Sequence, residues 1–142
     1  MHSTTLRLPI KRLNPRKPIS VQIGQTVLRA IEIMQENRIG CVCVVEDDKL
    51  TGIITERDIL LRVIGCDCHI DNVKVEEVMT SNPEYLFQDD EIAYAMNRMH
   101  VGGFRHVPLT DLQGRPTGII SVKDIVAHLI SNLEVNMSKG ED

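Results

Sequence analysis

Two short segments of the chain place a hydroxyl and a carboxylate three residues apart. Thr55 precedes Asp58, and Ser121 precedes Asp124, each directly after a Gly-Ile-Ile stretch. An ionised carboxylate can accept hydrogen bonds from two neighbouring hydroxyls of a ribose, and each such charge-assisted bond contributes roughly 1.5–3 kcal/mol. The two hydroxyls stand where a helix would begin, and free N–H groups and the dipole at a helix start favour phosphate.

The same spacing also fits helix capping without any ligand. In that interpretation the hydroxyl is the N-cap and the acid lies in the first helical turn. Capping alone would explain either segment, and one segment can both cap a helix and bind a ligand. Spacing by itself therefore leaves the two interpretations open.

The two segments belong to an internal duplication. The octet Gly52–Ile59 reads Gly-Ile-Ile-Thr-Glu-Arg-Asp-Ile, and Gly118–Ile125 repeats it as Gly-Ile-Ile-Ser-Val-Lys-Asp-Ile. Initial strands are predicted near Ile19–Ile23 and Glu84–Gln88. Each octet also follows an amphipathic helix, indicated by apolar residues at i, i+3, i+4 and i+7: Val27, Ala30, Ile31 and Met34, then Ile92, Ala95, Met96 and Met99. The sequence thus predicts two strand–helix–strand–strand–helix repeats that pack on each other, because one repeat alone buries little surface.

The duplicated segments resemble the CBS-domain pair, also called a Bateman module. The resemblance covers residues 18–64 and 75–130, and it is carried by the two octets, by Val78-Met79-Thr80 with Pro83, and by Arg105-His106-Val107-Pro108-Leu109. It implies an α/β (α+β) fold in which two tandem βαββα repeats form a pseudo-two-fold pair. The predicted boundaries are a basic N-terminal extension (1–17), a first repeat (18–65), a linker with a short helical turn (66–80), a second repeat (81–131) and a polar tail (132–142).

The resemblance also implies a function. Members of this family bind AMP, ADP, ATP or S-adenosylmethionine in clefts between the repeats and transmit occupancy to a catalytic or transport domain or to a separate partner. It further implies a homodimer. This chain resembles a stand-alone pair, so we expect it to signal to an unidentified effector protein. The adenosine compound is its ligand and no other cofactor is expected; whether Mg²⁺ accompanies the ligand stays open.

The candidate ligand-binding residues fall into three groups. The hydroxyls, acids and cations of the octets would hold ribose and phosphate: Thr55, Arg57, Asp58, Ser121, Lys123 and Asp124. Arg105 and His106 can reach a phosphate in the second repeat, although His106 is equally well explained as a partly buried strand residue. The matching Gly40 and Cys41 supply no charge, so we expect one competent site and one weak or empty site. Walls for adenine are predicted at Ile19, Ile39, Val42, Tyr85, Phe104, Val107 and Pro108.

Charge is distributed unevenly along the chain. The formal net charge is −4, yet residues 1–17 carry five cations and no acid. An acidic remainder and four aromatic residues without tryptophan argue against nucleic acid as the partner. The simplest interpretation of the basic segment is a solvated extension, with binding of a phosphate-rich partner as the alternative. No apolar run is long enough to cross a membrane, and Pro9 interrupts any secretion signal, so the predicted location is cytoplasmic.

The four cysteines predict free thiols. Cys41 and Cys43 lie in an apolar run, where thiols behave as small hydrophobic groups, and a cytoplasmic protein keeps them reduced. The cluster Cys66-Asp67-Cys68-His69 offers thiolate and imidazole ligands. Zinc sites usually combine two such clusters, so an incidental loop is favoured over a metal or redox site, and no metal is predicted.

Three classes of function remain to be compared. The doubled octets favour a sensor, in which an adenosine ligand biases an equilibrium between two arrangements of repeats or protomers. The uncharged Gly40-Cys41 pair favours a ligand-free dimerisation or scaffold subunit with vestigial sites. An enzyme is disfavoured, because the sequence shows no nucleophile–base pair, phosphate loop or metal-hydrolase signature.

Overall fold

The chain folds into two compact units that interleave along the sequence. The computed structural model describes the backbone of residues 3–64 and 69–140 and the side chains of residues 5–64 and 69–133. The first unit comprises residues 18–84 and 110–117 and contains the first octet. The second unit comprises residues 1–17, 85–109 and 118–142 and contains the second octet.

The elements alternate as the duplication predicts. In chain order they are α1 (Ser3–Leu6), a 3-10 turn (Ile10–Leu13), β1 (Ser20–Gln22), α2 (Val27–Asn37), β2 (Cys41–Glu46), β3 (Lys49–Thr55), α3 (Glu56–Asp58) with a π-helical turn (Ile59–Ile64), α4 (Val75–Val78), β4 (Thr80–Ser81), α5 (Ile92–Gly102), β5 (His106–Thr110), β6 (Pro116–Ser121) and α6 (Val122–Gly140). The mixed α/β fold class is confirmed.

The first unit is built on a four-stranded sheet in the order β1-β2-β3-β4. Strand β1 runs parallel to β2, and the other neighbours are antiparallel. Helix α2 begins at Thr26, whose hydroxyl accepts a hydrogen bond from the Arg29 N–H at 3.2 Å. Its buried face packs on β2 and β3. Ile33 lies in that face, whereas Ile31, expected there, is only half-buried at its edge.

The second unit keeps the same order of elements but has a reduced sheet. Strands β5 and β6 form a two-stranded sheet. The strand predicted near Glu84–Gln88 is reduced to a single parallel bridge between Leu86 and Leu109. The following residues pair elsewhere: the carbonyls of Gln88 and Asp90 accept hydrogen bonds from the backbone N–H groups of the 3-10 turn. The N-terminal segment therefore takes the pairing that a longer strand would have needed.

The N-terminal segment is part of the second unit. Ile10 is fully buried in its core, and the backbone carbonyl of Arg16 accepts a hydrogen bond from the Ile119 N–H at 3.2 Å. Three leucines pack against the same core: Leu6, Leu8 and Leu13. The interpretation of this segment as a solvated extension is therefore wrong for its apolar residues, because they alternate with the cations and supply one buried face. The cations themselves are exposed.

The first glycine of each octet lies under a segment from outside the repeat. A Cβ atom on Gly52 would stand 3.0 Å from the backbone oxygen of Thr80. A Cβ atom on Gly118 would stand 3.3 Å from the backbone oxygen of Arg16. The close approach of a second backbone therefore favours glycine at both positions.

The described cysteines are buried and form no disulfide bond. Cys41 and Cys43 lie within β2 as thiols that are not in a disulfide, as the apolar run predicted. Burial raises the pKa of the Cys43 thiol to about 12, so this side chain stays protonated and unreactive at neutral pH. Cys66 and Cys68 lie outside the described residues. Within those residues, no helix combines the length and apolar character needed to cross a membrane.

Truncating the buried N-terminal isoleucine should destabilise the protein. Ile10→Ala removes a fully buried side chain, which typically costs about 2–5 kcal/mol of unfolding free energy. The measurement is urea-induced unfolding followed by circular dichroism. Arg12→Ala, an exposed change two residues away, is the control and should leave the midpoint unchanged. Equal midpoints for both variants would restore the interpretation of a solvated extension.

Candidate functional site

The first octet forms a reciprocal helix cap. Thr55 ends β3, and its hydroxyl accepts a hydrogen bond from the Asp58 N–H at 3.2 Å. The Thr55 N–H in turn donates to Oδ2 of Asp58 at 3.0 Å. Both bonds together make a capping box, so the capping interpretation is confirmed for this octet.

The Asp58 carboxylate has further partners within the first unit. The hydroxyls of Thr55 and Thr80 lie within hydrogen-bond distance of it, at 3.2 Å from Oδ2 and 3.2 Å from Oδ1 respectively. Nε of Arg62 lies 3.9 Å from Oδ1. The side chain is only 11% exposed. Both carboxylate oxygens are thus occupied by the protein itself.

Arg62 holds the segment that leads into β4. Its Nη1 atom donates to the backbone carbonyls of Val78 and Met79, at 3.1 and 2.9 Å. These carbonyls belong to the end of α4 and the residue after it. Arg62 therefore satisfies a helix C-terminus and keeps Thr80 beside Asp58.

The second octet has the same cap, but one carboxylate oxygen has no partner in the part of the chain that the structure describes. The Ser121 N–H donates to Oδ2 of Asp124 at 2.8 Å, and the Asp124 N–H donates to the Ser121 hydroxyl at 3.3 Å. Asp124 is half-buried. Among the described residues, Oδ1 of Asp124 has no hydrogen-bond partner. This atom is the clearest difference between the two octets.

The surroundings of the two helix starts also differ in charge. The backbone carbonyl of Arg105 accepts a hydrogen bond from Val122, and the carbonyl of Gly40 accepts one from Glu56, both at 3.0 Å. The matching of Arg105 with Gly40 is therefore confirmed. A Cβ atom on Gly40 would stand 2.5 Å from Oε1 of Glu56, so an acidic side chain covers that helix start. The second helix start has valine in place of this acid and arginine in place of glycine.

The remaining predicted polar residues lie at the starts of helices or strands. Arg57 and Lys123 are exposed in the first turns of their helices. His106 is half-buried at the start of β5. No group of three or more histidine, cysteine or acidic side chains within the described residues could hold a metal ion.

The predicted adenine walls divide into buried and accessible side chains. Val42, Val107 and Pro108 are fully buried. Ile19, Ile39 and Phe104 are half-buried, the first two against the core of the first unit and the third against that of the second. Tyr85 is half exposed, edge-on to Phe87 at 5.9 Å between ring centroids. The four accessible side chains are the ones that present surface to a ligand, and the role of all seven stays a prediction.

Several residues of these networks were missed by sequence reasoning. Thr80 entered the sequence analysis only as part of the Val78-Met79-Thr80 segment, and Arg16 only among the five cations of residues 1–17. Arg62 was assigned no role. Glu56 was not among the predicted site residues. Pairing between distant strands brings Thr80 to Asp58 and Arg16 to the second octet, and spacing within an octet carries no signal of it.

Comparisons with known proteins agree with the fold. The profile of the CBS domain matches residues 10–65 and 75–131. The CBS domain-containing protein CBSCBSPB1 of Arabidopsis thaliana is 39% identical over 106 residues, which cover 75% of this chain and 20% of that protein. The chain thus spans about a fifth of the length of this plant relative.

Two solved structures extend the comparison. The CBS-domain containing protein ATU1752 from Agrobacterium tumefaciens has 31% identity and a TM-score of 0.76, covering 84% of this chain and 97% of that chain. The CBS domain pair of protein MJ0100 has 25% identity and a TM-score of 0.77, covering 87% of this chain and 97% of that chain. It was crystallised with 5′-methylthioadenosine and S-adenosyl-L-methionine.

Replacing Asp58 with alanine should destabilise the protein more than replacing Asp124. Either change removes the hydrogen bond from the N-cap N–H to the carboxylate, which contributes about 1.5–3 kcal/mol. Asp58→Ala also deprives the Thr80 hydroxyl of its acceptor, which adds about 1–3 kcal/mol. Urea unfolding of both variants measures the difference, and equal losses would show that Thr80 contributes nothing.

A double-mutant cycle isolates the Thr80 contact. Thr80→Val keeps the shape of the side chain and removes the donor. If the contact stabilises the protein, the double variant Asp58→Ala with Thr80→Val loses less than the sum of the two single losses. Strict additivity would contradict the coupling.

Proposed function

Because the chain belongs to the CBS-domain family, we propose that it is a regulatory module that binds an adenosine compound and signals occupancy to a partner protein. The observation that carries the proposal is the Oδ1 atom of Asp124 at the start of α6, for which residues 5–64 and 69–133 provide no hydrogen-bond partner. The ligand class is supported by the MJ0100 pair, which holds two adenosine compounds.

The second octet offers the contacts that a nucleoside needs. Oδ2 of Asp124 is fixed by the Ser121 backbone, which orients the carboxylate and leaves Oδ1 to accept a ribose hydroxyl. Such a bond is charge-assisted and contributes roughly 1.5–3 kcal/mol. Helix α6 is long, and its N-terminal N–H groups favour a phosphate. Phe104 and Tyr85, both in the second unit, present apolar surface for the base.

The first octet is the weaker site in this proposal. A ribose would have to displace the Thr80 hydroxyl from Asp58, and Glu56 would repel a phosphate at the helix start. We therefore place the competent site at Ser121 and Asp124 and treat the site at Thr55 and Asp58 as weak or empty.

Signalling would follow from a difference in affinity between two arrangements. A ligand shifts an equilibrium only by as much as it binds one state more tightly than the other. In the proposed mechanism, occupancy at Asp124 favours one arrangement of repeats or protomers, and the partner binds that arrangement. The module itself performs no catalysis, and nucleic acid is not its partner.

A homodimer is part of the same proposal. Exposed apolar residues recur every three or four positions along α6, so that they share one helix face: Val122, Val126, Ile130 and Leu133. A second set lies on the matching turn of the first unit: Leu60, Leu61 and Ile64. Exposed apolar side chains that share one helix face are typical of an interface between protein chains. We propose that a second copy of the chain covers these two sets.

The alternative function is a ligand-free dimerisation or scaffold subunit. It is favoured by the protein-satisfied Asp58, since a carboxylate occupied by Thr80 and Arg62 needs no ligand. Under this alternative both octets serve only as helix caps.

A thermal-shift series separates the sensor from the scaffold. AMP, ADP, ATP, S-adenosylmethionine and NAD are each titrated, because binding to the native state raises the melting temperature with concentration. A saturable shift with an adenosine compound is expected, and calorimetry then gives its affinity. Flat responses to all five would support the scaffold.

Asp124→Ala should weaken the binding of that compound by about tenfold or more, equivalent to about 1.4 kcal/mol. The reason is the loss of the carboxylate that accepts the ribose hydroxyl. Asp58→Ala is the matched control, with a smaller effect on affinity, measured below its unfolding midpoint. Unchanged affinity in a folded Asp124→Ala variant would remove the assignment of the second octet.

A further inference from the structure

Arg16 occupies the same backbone position in the second unit that Thr80 occupies in the first. Thr80 pairs with Ile53 in β3, and Arg16 pairs in the same antiparallel sense with Ile119 in β6. Ile53 and Ile119 are the same position of the two octets. The backbone oxygens of Thr80 and Arg16 also make the same close approach to the octet glycines. The strand pairing and the contact with the glycine thus place the two residues at matching positions.

This alignment puts different chemistry beside the two carboxylates. The Thr80 hydroxyl donates a hydrogen bond to the Asp58 carboxylate, so that the protein itself satisfies this carboxylate. Arg16 starts from the corresponding position beside Asp124, with a longer side chain that ends in a guanidinium group. Arg16 is exposed, and the structure shows no ion pair for it among the described residues. Its charge is therefore available to something outside the protein.

Other side chains near the second octet are positively charged, as Arg16 is. Arg105 and Lys123 flank the start of α6, and the acid found at the first helix start is replaced there by Val122. The second unit as a whole has nine basic and seven acidic residues, whereas the first has seven basic and thirteen acidic residues. An anion is thus favoured at the second octet and disfavoured at the first.

We propose that the ligand at Asp124 is a phosphorylated adenosine and that Arg16 binds its phosphate group. The inference rests on the proposed function and narrows its ligand class. Asp124 would take the ribose, and the guanidinium of Arg16 would take the phosphate in a geometry that suits two parallel N–H···O bonds. Adenosine compounds whose charged group is a sulfonium cation gain nothing from this cluster of cations. The basic N-terminal segment thereby supplies a binding residue from outside both repeats.

Calorimetry with AMP and adenosine tests the phosphate contact, because the two differ only in that group. Wild-type protein should bind AMP about tenfold or more tightly than adenosine. Arg16→Ala should remove most of that difference by weakening AMP binding while leaving adenosine binding within about twofold. The fold should tolerate this change, since the bond from Ile119 goes to the Arg16 backbone. Arg12→Ala, which removes one exposed cation from the same segment, is the matched control and should leave both affinities unchanged.

Each contrary outcome has a separate meaning. Equal wild-type affinities for AMP and adenosine would overturn the phosphate assignment while leaving the proposed function intact. Equal losses of AMP affinity in Arg16→Ala and Arg12→Ala would overturn the role of Arg16, since general charge attraction would then suffice. If wild-type protein binds no adenosine compound, the proposed function fails before any variant is compared.

Discussion

The whole arrangement depends on one reciprocal interaction, in which an octet carboxylate accepts a backbone N–H from the hydroxyl residue three positions earlier. This bond turns the chain from a buried strand directly into a helix, at Thr55 in one unit and Ser121 in the other. It also uses only one of the two carboxylate oxygens. The cap thus engages one oxygen of each acid, and the surroundings of the other oxygen distinguish the two units.

The two duplicated halves differ in the residues that surround this second carboxylate oxygen. In the first unit a threonine hydroxyl and an arginine satisfy it, at the cost of any external partner. In the second unit no described residue bonds to this oxygen, and the cations Arg105 and Lys123 flank the same helix start. Capping and ligand binding are thus compatible uses of one motif. A capped carboxylate is held in one orientation, and a fixed acceptor loses less entropy when a ligand binds.

Patterns within each repeat predicted most of the fold, because helix periodicity and the octets are local signals. The cap and the buried thiols followed from the same signals. The strand predicted near Leu86 in the second unit is shorter than expected. The reason is that Gln88 and Asp90 bond to the 3-10 turn, more than seventy positions earlier. The burial of Ile10 and the partners of Asp58 were missed for the same reason. Contacts that join distant segments leave no periodicity, and in this chain they decide which carboxylate stays available.

The interleaving of the two units bears on how the chain can be made and divided. The first unit needs residues 110–117, and the second needs both residues 1–17 and the region after residue 118. No contiguous fragment shorter than most of the chain contains either unit complete. During synthesis the first unit is therefore complete only once residue 117 has been added, after residues 85–109 of the second unit. A proteolytic cut between residues 18 and 117 would interrupt both units. Such mutual dependence favours a single cooperative unfolding transition over stepwise loss of one repeat.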